Sequence, residues 1–202
     1  METKYVWSLV IRGLEKEVND FADALDASIQ TQKDDDLFDF GVGITPVAEA
    51  MGVESSDDGG MIHEVFPIDL VMVGKGGEKT CELEVDYVSA KYPLSKAWEN
   101  MVKKYAPHCQ LLWVVEENET NFYATNDVNG EHFLYQDYVR RWFDPVHHRY
   151  DTKVYFNKEE LKRILASVYG DDTLENLIQK VNESPIVDGA RTRIYEVKKI
   201  TD

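Results

Sequence analysis

Three carboxylates alternate with apolar residues in one short run of the sequence. Glu82, Glu84 and Asp86 are each separated by a single residue, so on a strand they share one face at intervals of roughly 6.6–6.8 Å. Such a row has three interpretations. It is the polar outer face of an antiparallel sheet, a line of negative charge resembling a phosphate backbone, or part of a metal site if another residue converges on it.

A second group of carboxylates, Asp34-Asp35-Asp36, is followed by Asp39. Hard cations such as calcium require several carboxylate oxygens, but an EF-hand loop has a ligand at position 5 and a glycine at position 6. Here those positions are Phe38 and Asp39. The pattern therefore predicts a solvated acidic loop. We predict an acidic partner-binding face made of Glu82, Glu84, Asp86, Asp34, Asp35 and Asp36.

The other residues with chemical potential give weaker signals. His147 and His148 are adjacent, so on a strand they point to opposite faces and rarely bind one metal ion together. Cys81 and Cys109 fall on the apolar side of predicted strands, where a thiolate is disfavoured. The glycine-rich segment 74–79 lacks the following helix that a phosphate-binding loop needs. No catalytic residue, metal or cofactor is predicted from these residues.

Basic and aromatic residues gather in one region only. Planar rings and guanidinium groups are the mixture that anchors protein interfaces. We predict an aromatic-basic partner surface, with the alternative that half of its aromatic residues belong to the core. Its residues are Tyr138, Arg140, Arg141, Trp142 and Arg149.

Charge and composition restrict the class of protein. The 202 residues include 22 Lys and Arg against 38 Asp and Glu, a net charge of −16. Residues 1–80 carry 17 acids and 6 bases, whereas residues 151–202 carry 10 and 9. This charge repels anionic lipid and nucleic acid, and no apolar run reaches the roughly 20 residues of a membrane span. With two cysteines and no signal peptide, we expect a cytoplasmic protein.

The hydrophobic pattern predicts an α+β protein with a mainly antiparallel sheet. A strand over 5–11 ends at Gly13, and a helix follows over 14–29. A hairpin joins 66–73 to 81–87, a helix begins after Ser95, and strands cover 109–115 and 121–125. Segment 138–143 receives no assignment. The last part gives a β-α-α-β extension. We therefore predict a core over 1–145 with an acidic loop over 31–60 and an extension over 146–202, with a single domain as the alternative.

Part of the sequence resembles a known family. Residues 87–107, then 109–117 and Asn121-Phe122-Tyr123-Ala124, are similar to the YubB ferredoxin-like family of phage and plasmid proteins, as is the opening Leu9-Val10-Ile11-Arg12-Gly13. The resemblance covers about half the chain, and residues 126–202 have no counterpart. It implies a ferredoxin-like core and a mobile-element origin rather than an activity.

Three functions remain open at this point. The first is a non-enzymatic inhibitor that places its acidic half against the basic surface of a host nucleic-acid-handling protein. The second is a small metal-dependent hydrolase or nucleotide-binding protein, with a site assembled from Glu82, Glu84, Asp86, His132 and His147. The third is a scaffold that self-associates into a homo-oligomer through 135–149. We expect the first, with no membrane and no direct nucleic-acid partner.

Overall fold

The computed structural model describes residues 4–32, 41–55, 60–66, 71–73, 77–117, 120–133, 137–144, 149–183 and 191–201. Side chains are described for all of these except 71, 142–144, 149–153 and 191. The chain forms two compact units, residues 1–122 and 123–202. The predicted α+β class is confirmed. The finer ferredoxin-like assignment stays a prediction.

The first unit is a sheet with three helices. Its elements in chain order are β1 (Tyr5–Leu14), α1 (Glu15–Gln30), β2 (Val42–Gly43), α2 (Ile44–Ala50), β3 (Met61–Val65), β4 (Val71–Val73), β5 (Lys79–Ser89), α3 (Lys96–Tyr105) and β6 (Gln110–Glu117). The strands are ordered β6-β1-β5-β3-β2, with β4 also on β5, and these pairs within the unit are antiparallel.

The first unit has a core between the sheet and its helices. Strand β1 contributes Trp7, Leu9 and Ile11, and α1 contributes Phe21 and Leu25, all fully buried. These helical residues are four apart, which places them on one side of α1. Helix α3 begins at the predicted cap, where the Ser95 hydroxyl accepts the Ala97 N–H at 3.3 Å.

The second unit contains two small β arrangements and two helices. The strand β7 (Phe122–Thr125) begins at the last residue of the first unit. It is followed by β8 (Tyr138–Asp144), β9 (Arg149–Phe156), α4 (Lys158–Tyr169), α5 (Leu174–Glu183), β10 (Arg191–Glu196) and β11 (Lys198–Lys199). β10, β8 and β9 form an antiparallel sheet in that order, and β11 pairs with β7 in parallel.

Helices α4 and α5 cover one face of this three-stranded sheet. Phe156 and Ile194 from the strands pack with Leu161, Leu165 and Leu177 from the helices, and all are buried. The predicted cap Asn157 accepts the Glu160 N–H at 2.8 Å. β8 and β9 are hydrogen-bonded neighbours, and the predicted division at 145/146 falls between them.

The hydrophobic pattern gave the wrong end for the first strand, and it gave no strand at β2 or β3. Gly13 does not end the first strand, because β1 continues through it to Leu14. Gly13 stays in register with Cys81 on β5. Glycine usually weakens a strand, and inside one it often marks a place where another chain segment approaches closely. Gly13 is nevertheless part of the central strand β1.

Candidate functional site

The carboxylate row lies on the face of β5 opposite the core. Cys81, Leu83, Val85 and Tyr87 are buried, as the alternation predicted. Between them, Glu84 is exposed, whereas Glu82 and Asp86 are half-buried. The row therefore has its most accessible charge at its centre.

The two outer carboxylates of the row are held by β1. Arg12 is in register with Glu82, and its Nε lies 3.3 Å from a Glu82 oxygen, where the glutamate side chain is only 11% exposed. Ser8 is in register with Asp86 and donates its hydroxyl at 3.3 Å. The ion pair engages one of the oxygens that a metal ion would need at Glu82.

The face that carries the row is not uniformly polar. Val10 on β1 is in register with Glu84 and is 1% exposed, and Leu112 on β6 is in register with Val10 and is 7% exposed. On the other side, exposed Glu64 of β3 is in register with Asp86. The carboxylates thus extend from β5 to β3 and border an apolar strip.

A small cavity lies next to the β3 end of this row. Its volume is about 290 Å³, and it is lined by Asp26 and Ile29 of α1, by Gly41 and Val42, and by residues 62–65 of β3. Two carboxylates, Asp26 and Glu64, and several aliphatic side chains share this space. A space lined by both aliphatic and carboxylate side chains suits the stem and head of a lysine or arginine side chain.

The helix α1 adds further negative charge to the first unit. Asp20, Asp23 and Asp26 are exposed along it. Asp20 forms an ion pair with Lys16, and Lys79 lies 3.6 Å from Glu15. The bases of this unit are therefore partly used in pairs with its own acids.

The acidity separates along the boundary between the units. Residues 1–122 contain 24 acids and 10 bases, a net charge of −14, whereas residues 123–202 contain 14 and 12, a net charge of −2. The charge gradient of the sequence therefore divides at the same residue as the two compact units.

Polar contacts hold the turn that precedes β6 against helix α1. The Glu17 carboxylate accepts the His108 backbone N–H at 3.0 Å and lies 2.7 Å from its ring Nδ1. The contact with the His108 side chain lowers the pKa of Glu17. Cys109 Sγ is 3.9 Å from the same carboxylate, and burial with this charge raises the pKa of the thiol to about 11. The thiol is therefore a poor nucleophile.

The aromatic-basic residues divide between the two faces of β8. Strand alternation puts Tyr138 and Arg140 on the face covered by the helices, where Tyr138 packs against the buried cluster. Arg141 is on the opposite face and is 5% exposed. The side chains of Trp142 and Arg149 lie outside the described residues. That these residues bind a partner stays a prediction.

The loop after β7 is organised by a buried carboxylate. Asp127 is 2% exposed and accepts the backbone N–H groups of Glu131, His132 and Phe133 at 2.7, 2.9 and 2.8 Å. The His132 ring packs edge-on against Phe133. Within the second unit, His132 is therefore held by the hydrogen bond from its backbone N–H to Asp127 and by the contact of its ring with Phe133.

Several predicted positions lie outside the described residues, namely Asp34, Asp35, Asp36, His147 and His148. Sequence reasoning missed Glu64 and the Glu17–His108 contact. Each depends on pairing between segments distant in the sequence. The only sequence signal was that Glu64 is a charged residue among residues typical of β-strands.

Comparison with protein-family models, with curated proteins and with solved structures finds no significant match for this chain. Among the described residues, no helix is both long and apolar enough to cross a membrane.

Proposed function

We propose that this protein is a non-enzymatic interaction protein whose first unit binds a basic surface of a partner protein in place of a nucleic acid. The observation that carries the proposal is the net charge of −14 on residues 1–122 against −2 on the rest. An array of preorganised carboxylates attracts a positive groove at long range and aligns with it at short range.

The contact surface proposed is the row Glu64, Asp86 and Glu84, with the neighbouring cavity. Register on adjacent strands keeps these carboxylates at fixed spacing, so little conformational entropy is lost when they meet a partner. The cavity beside Glu64 is suited to one lysine or arginine side chain of that partner. The resemblance to a phage and plasmid family adds a host nucleic-acid-handling protein as the target.

A displacement experiment tests this function. The probe is protamine, an arginine-rich DNA-binding protein, loaded with a fluorescein-labelled DNA duplex, and fluorescence anisotropy reports release of the duplex. We expect the protein to release DNA at about 50 mM NaCl and much less at about 250 mM, because salt screens exposed charges. No release at the lower salt concentration would overturn the proposal.

A matched pair of variants separates a defined surface from net charge alone. The row variant is Glu64→Gln with Glu84→Gln and Asp86→Asn. The control removes three exposed acids of the second unit, Asp171→Asn, Glu175→Gln and Glu183→Gln. We expect displacement to weaken about tenfold in the row variant and less than about twofold in the control. Equal losses in both would contradict the assignment of the surface.

A further inference from the structure

The cavity beside β3 is formed at an irregularity in that strand. The register of β3 with β5 shifts between Ile62 and Glu64, and His63 is the extra residue. Such a bulge changes the direction of the side chains on one strand, and bulges are common next to functional sites. His63 and Glu64 both line the cavity, although they are consecutive in the sequence.

A glycine allows the chain to approach β3 closely at the same place. Gly41 has a φ of +103°, and a Cβ atom built on it would lie 2.5 Å from the carbonyl oxygen of Ile62. Only glycine combines this backbone conformation with so close a contact. The next residue, Val42, is in register with Ile62 and both side chains are buried. These two aliphatic residues of the cavity are therefore held together by the backbone.

The cavity also contains two carboxylates from different elements. Asp26 of α1 and Glu64 of β3 are both exposed, so a ligand from solvent can reach them. The Glu64 side chain forms no hydrogen bond or ion pair with another described residue. Asp26 accepts the side-chain amide of Gln30 at 3.3 Å, which is long for a hydrogen bond. Neither carboxylate is neutralised by a described basic residue.

The size of the cavity and the spacing of its polar groups restrict the ligand. Its volume of about 290 Å³ is at the lower end of the range for ligand cavities, roughly 300–1,000 Å³, which favours a small molecule. The ligand atoms of Asp26, His63 and Glu64 do not all lie within 4.8 Å of one another. This arrangement does not suit one metal ion held by all three residues. It matches an organic cation whose charges are spaced along an aliphatic chain.

We propose that the cavity binds a small aliphatic diamine, a chain of about four carbons with an ammonium group at each end. The two ammonium groups donate charge-assisted hydrogen bonds to Asp26 and Glu64. The methylene groups between them are removed from water against the aliphatic side chains of the cavity. The net charge of −14 on the first unit raises the local concentration of such cations.

This inference goes beyond the proposed function, because the ligand is a free small molecule and its binding needs no partner protein. Both place a cationic group in the same cavity, but they are measured separately. The diamine is titrated into the protein alone, without DNA or protamine. DNA release without diamine binding would contradict this inference only, and diamine binding without DNA release would contradict the proposed function only.

The test follows backbone amides by nuclear magnetic resonance. The hydrochloride of 1,4-diaminobutane is titrated into the ¹⁵N-labelled full chain at constant ionic strength, with sodium chloride as the balancing salt. We expect the amide signals of His63, Glu64 and Val65 to shift saturably, with half-saturation near about 1 mM. The amide of exposed Asp171 in the second unit is the internal control and should not saturate. Absence of a saturable shift up to about 20 mM diamine would overturn the proposal.

Two related amines test which parts of the ligand are recognised. Butylamine has the same carbon chain with one ammonium group and should bind at least about fivefold more weakly. 1,2-Diaminoethane keeps both charges but lacks two methylene groups. It should bind more than about tenfold more weakly, since each buried methylene group contributes about fourfold. Equal binding of butylamine would refute a diamine site, because a single ammonium group, as on a lysine side chain, would then be sufficient.

Variants assign the binding to the cavity. Asp26→Asn and Glu64→Gln should each weaken the binding of 1,4-diaminobutane, measured by calorimetry, at least about fivefold. Asp23→Asn is the matched control, because Asp23 is an exposed acid of the same helix that does not line the cavity. It should change the affinity less than about twofold. Unchanged backbone amide spectra show that each variant is folded, and equal losses in all three variants would exclude this cavity as the site.

Discussion

The sulfur of Cys109 occupies the space that a side chain at Gly13 would take. A Cβ atom built on Gly13 would come within 3.0 Å of Cys109 Cα and closer still to its Sγ. Gly13 is also in register with Cys81 on its other side. A glycine near the end of a central strand is therefore explained by the thiol that packs over it.

The first prediction concerns this packing. Gly13→Ala should lower the free energy of unfolding by about 1–3 kcal/mol, because the added methyl group overpacks against Sγ. In a Cys109→Ala background the same change should cost less, because Sγ is absent. Urea unfolding of all four proteins gives the coupling energy directly. An identical cost of Gly13→Ala in both backgrounds would show that the thiol is not the obstacle.

The second prediction concerns the reactivity of Cys109. Its pKa is raised to about 11 by burial and by the neighbouring Glu17 carboxylate. Since the thiolate is the reactive form, alkylation by iodoacetamide at pH 8 should be about a hundredfold slower than for a thiol of ordinary pKa. A Cys81→Ala variant isolates the reaction at Cys109. Urea should restore the ordinary rate, and equal rates in the folded and unfolded protein would contradict the prediction.

The third prediction concerns Asp127. Its burial alone would raise the pKa, but the three backbone N–H groups outweigh this and lower it. Asp127→Ala should lower the free energy of unfolding by about 2 kcal/mol or more, since three loop donors lose their acceptor. Asp127→Asn keeps one acceptor oxygen and should cost less. Exposed Asp171→Asn is the control for these thermal and urea measurements, and a cost no larger than the control would refute this role.

The fourth prediction concerns the pH dependence at Asp172. Lys180 Nζ lies 2.7 Å from Asp172, and this contact, with Asn176 and the Thr173 N–H, lowers its pKa from 3.8 to about 2. The folded state therefore holds the ionised form more tightly than the unfolded state. The stabilisation is complete above pH 4 and is lost as the pH falls towards 2.

A comparison of Tm values across pH tests this sign. The Tm of the wild type should exceed that of Asp172→Asn at pH 6, and the difference should shrink as the pH falls from 4 to 2. The variant Asp171→Asn, at the neighbouring position, is the control for the effect on Tm of removing a carboxylate that lacks these contacts. A difference that grows on acidification would contradict the assignment.

Helices with a clear hydrophobic period or a recognisable N-cap residue were predictable from the sequence. Helix α1 follows its apolar residues at helical spacing, and Ser95 and Asn157 cap the helices as expected. The strand β8 was not predictable, because it carries a buried Val139 and a buried Arg141 on one face and Tyr138 against a second core on the other. A strand buried on both faces does not alternate between polar and apolar residues.

The candidate site was predictable in orientation but not in its neighbours. Alternation placed Glu82, Glu84 and Asp86 opposite the core. That Arg12 pairs with Glu82 and that Glu64 extends the row depend on register between strands separated by tens of residues. The sequence also gives no sign of how the edge strand β10 is covered. The side chain of Asn182 on α5 accepts the N–H of Ile194 and donates to its C=O. One sequence contains no signal for such pairings.

The central place of β1 has a consequence for biosynthesis. Its first paired residue, Tyr5, meets Ser89 of β5 on one side and Glu117 of β6 on the other. During synthesis β1 must therefore wait until residue 117 has been made before both of its edges are paired. At bacterial and eukaryotic elongation rates this delay is about 6 to 20 seconds. During that time β1 is an apolar strand with open edges, which is the kind of segment that pairs with other chains.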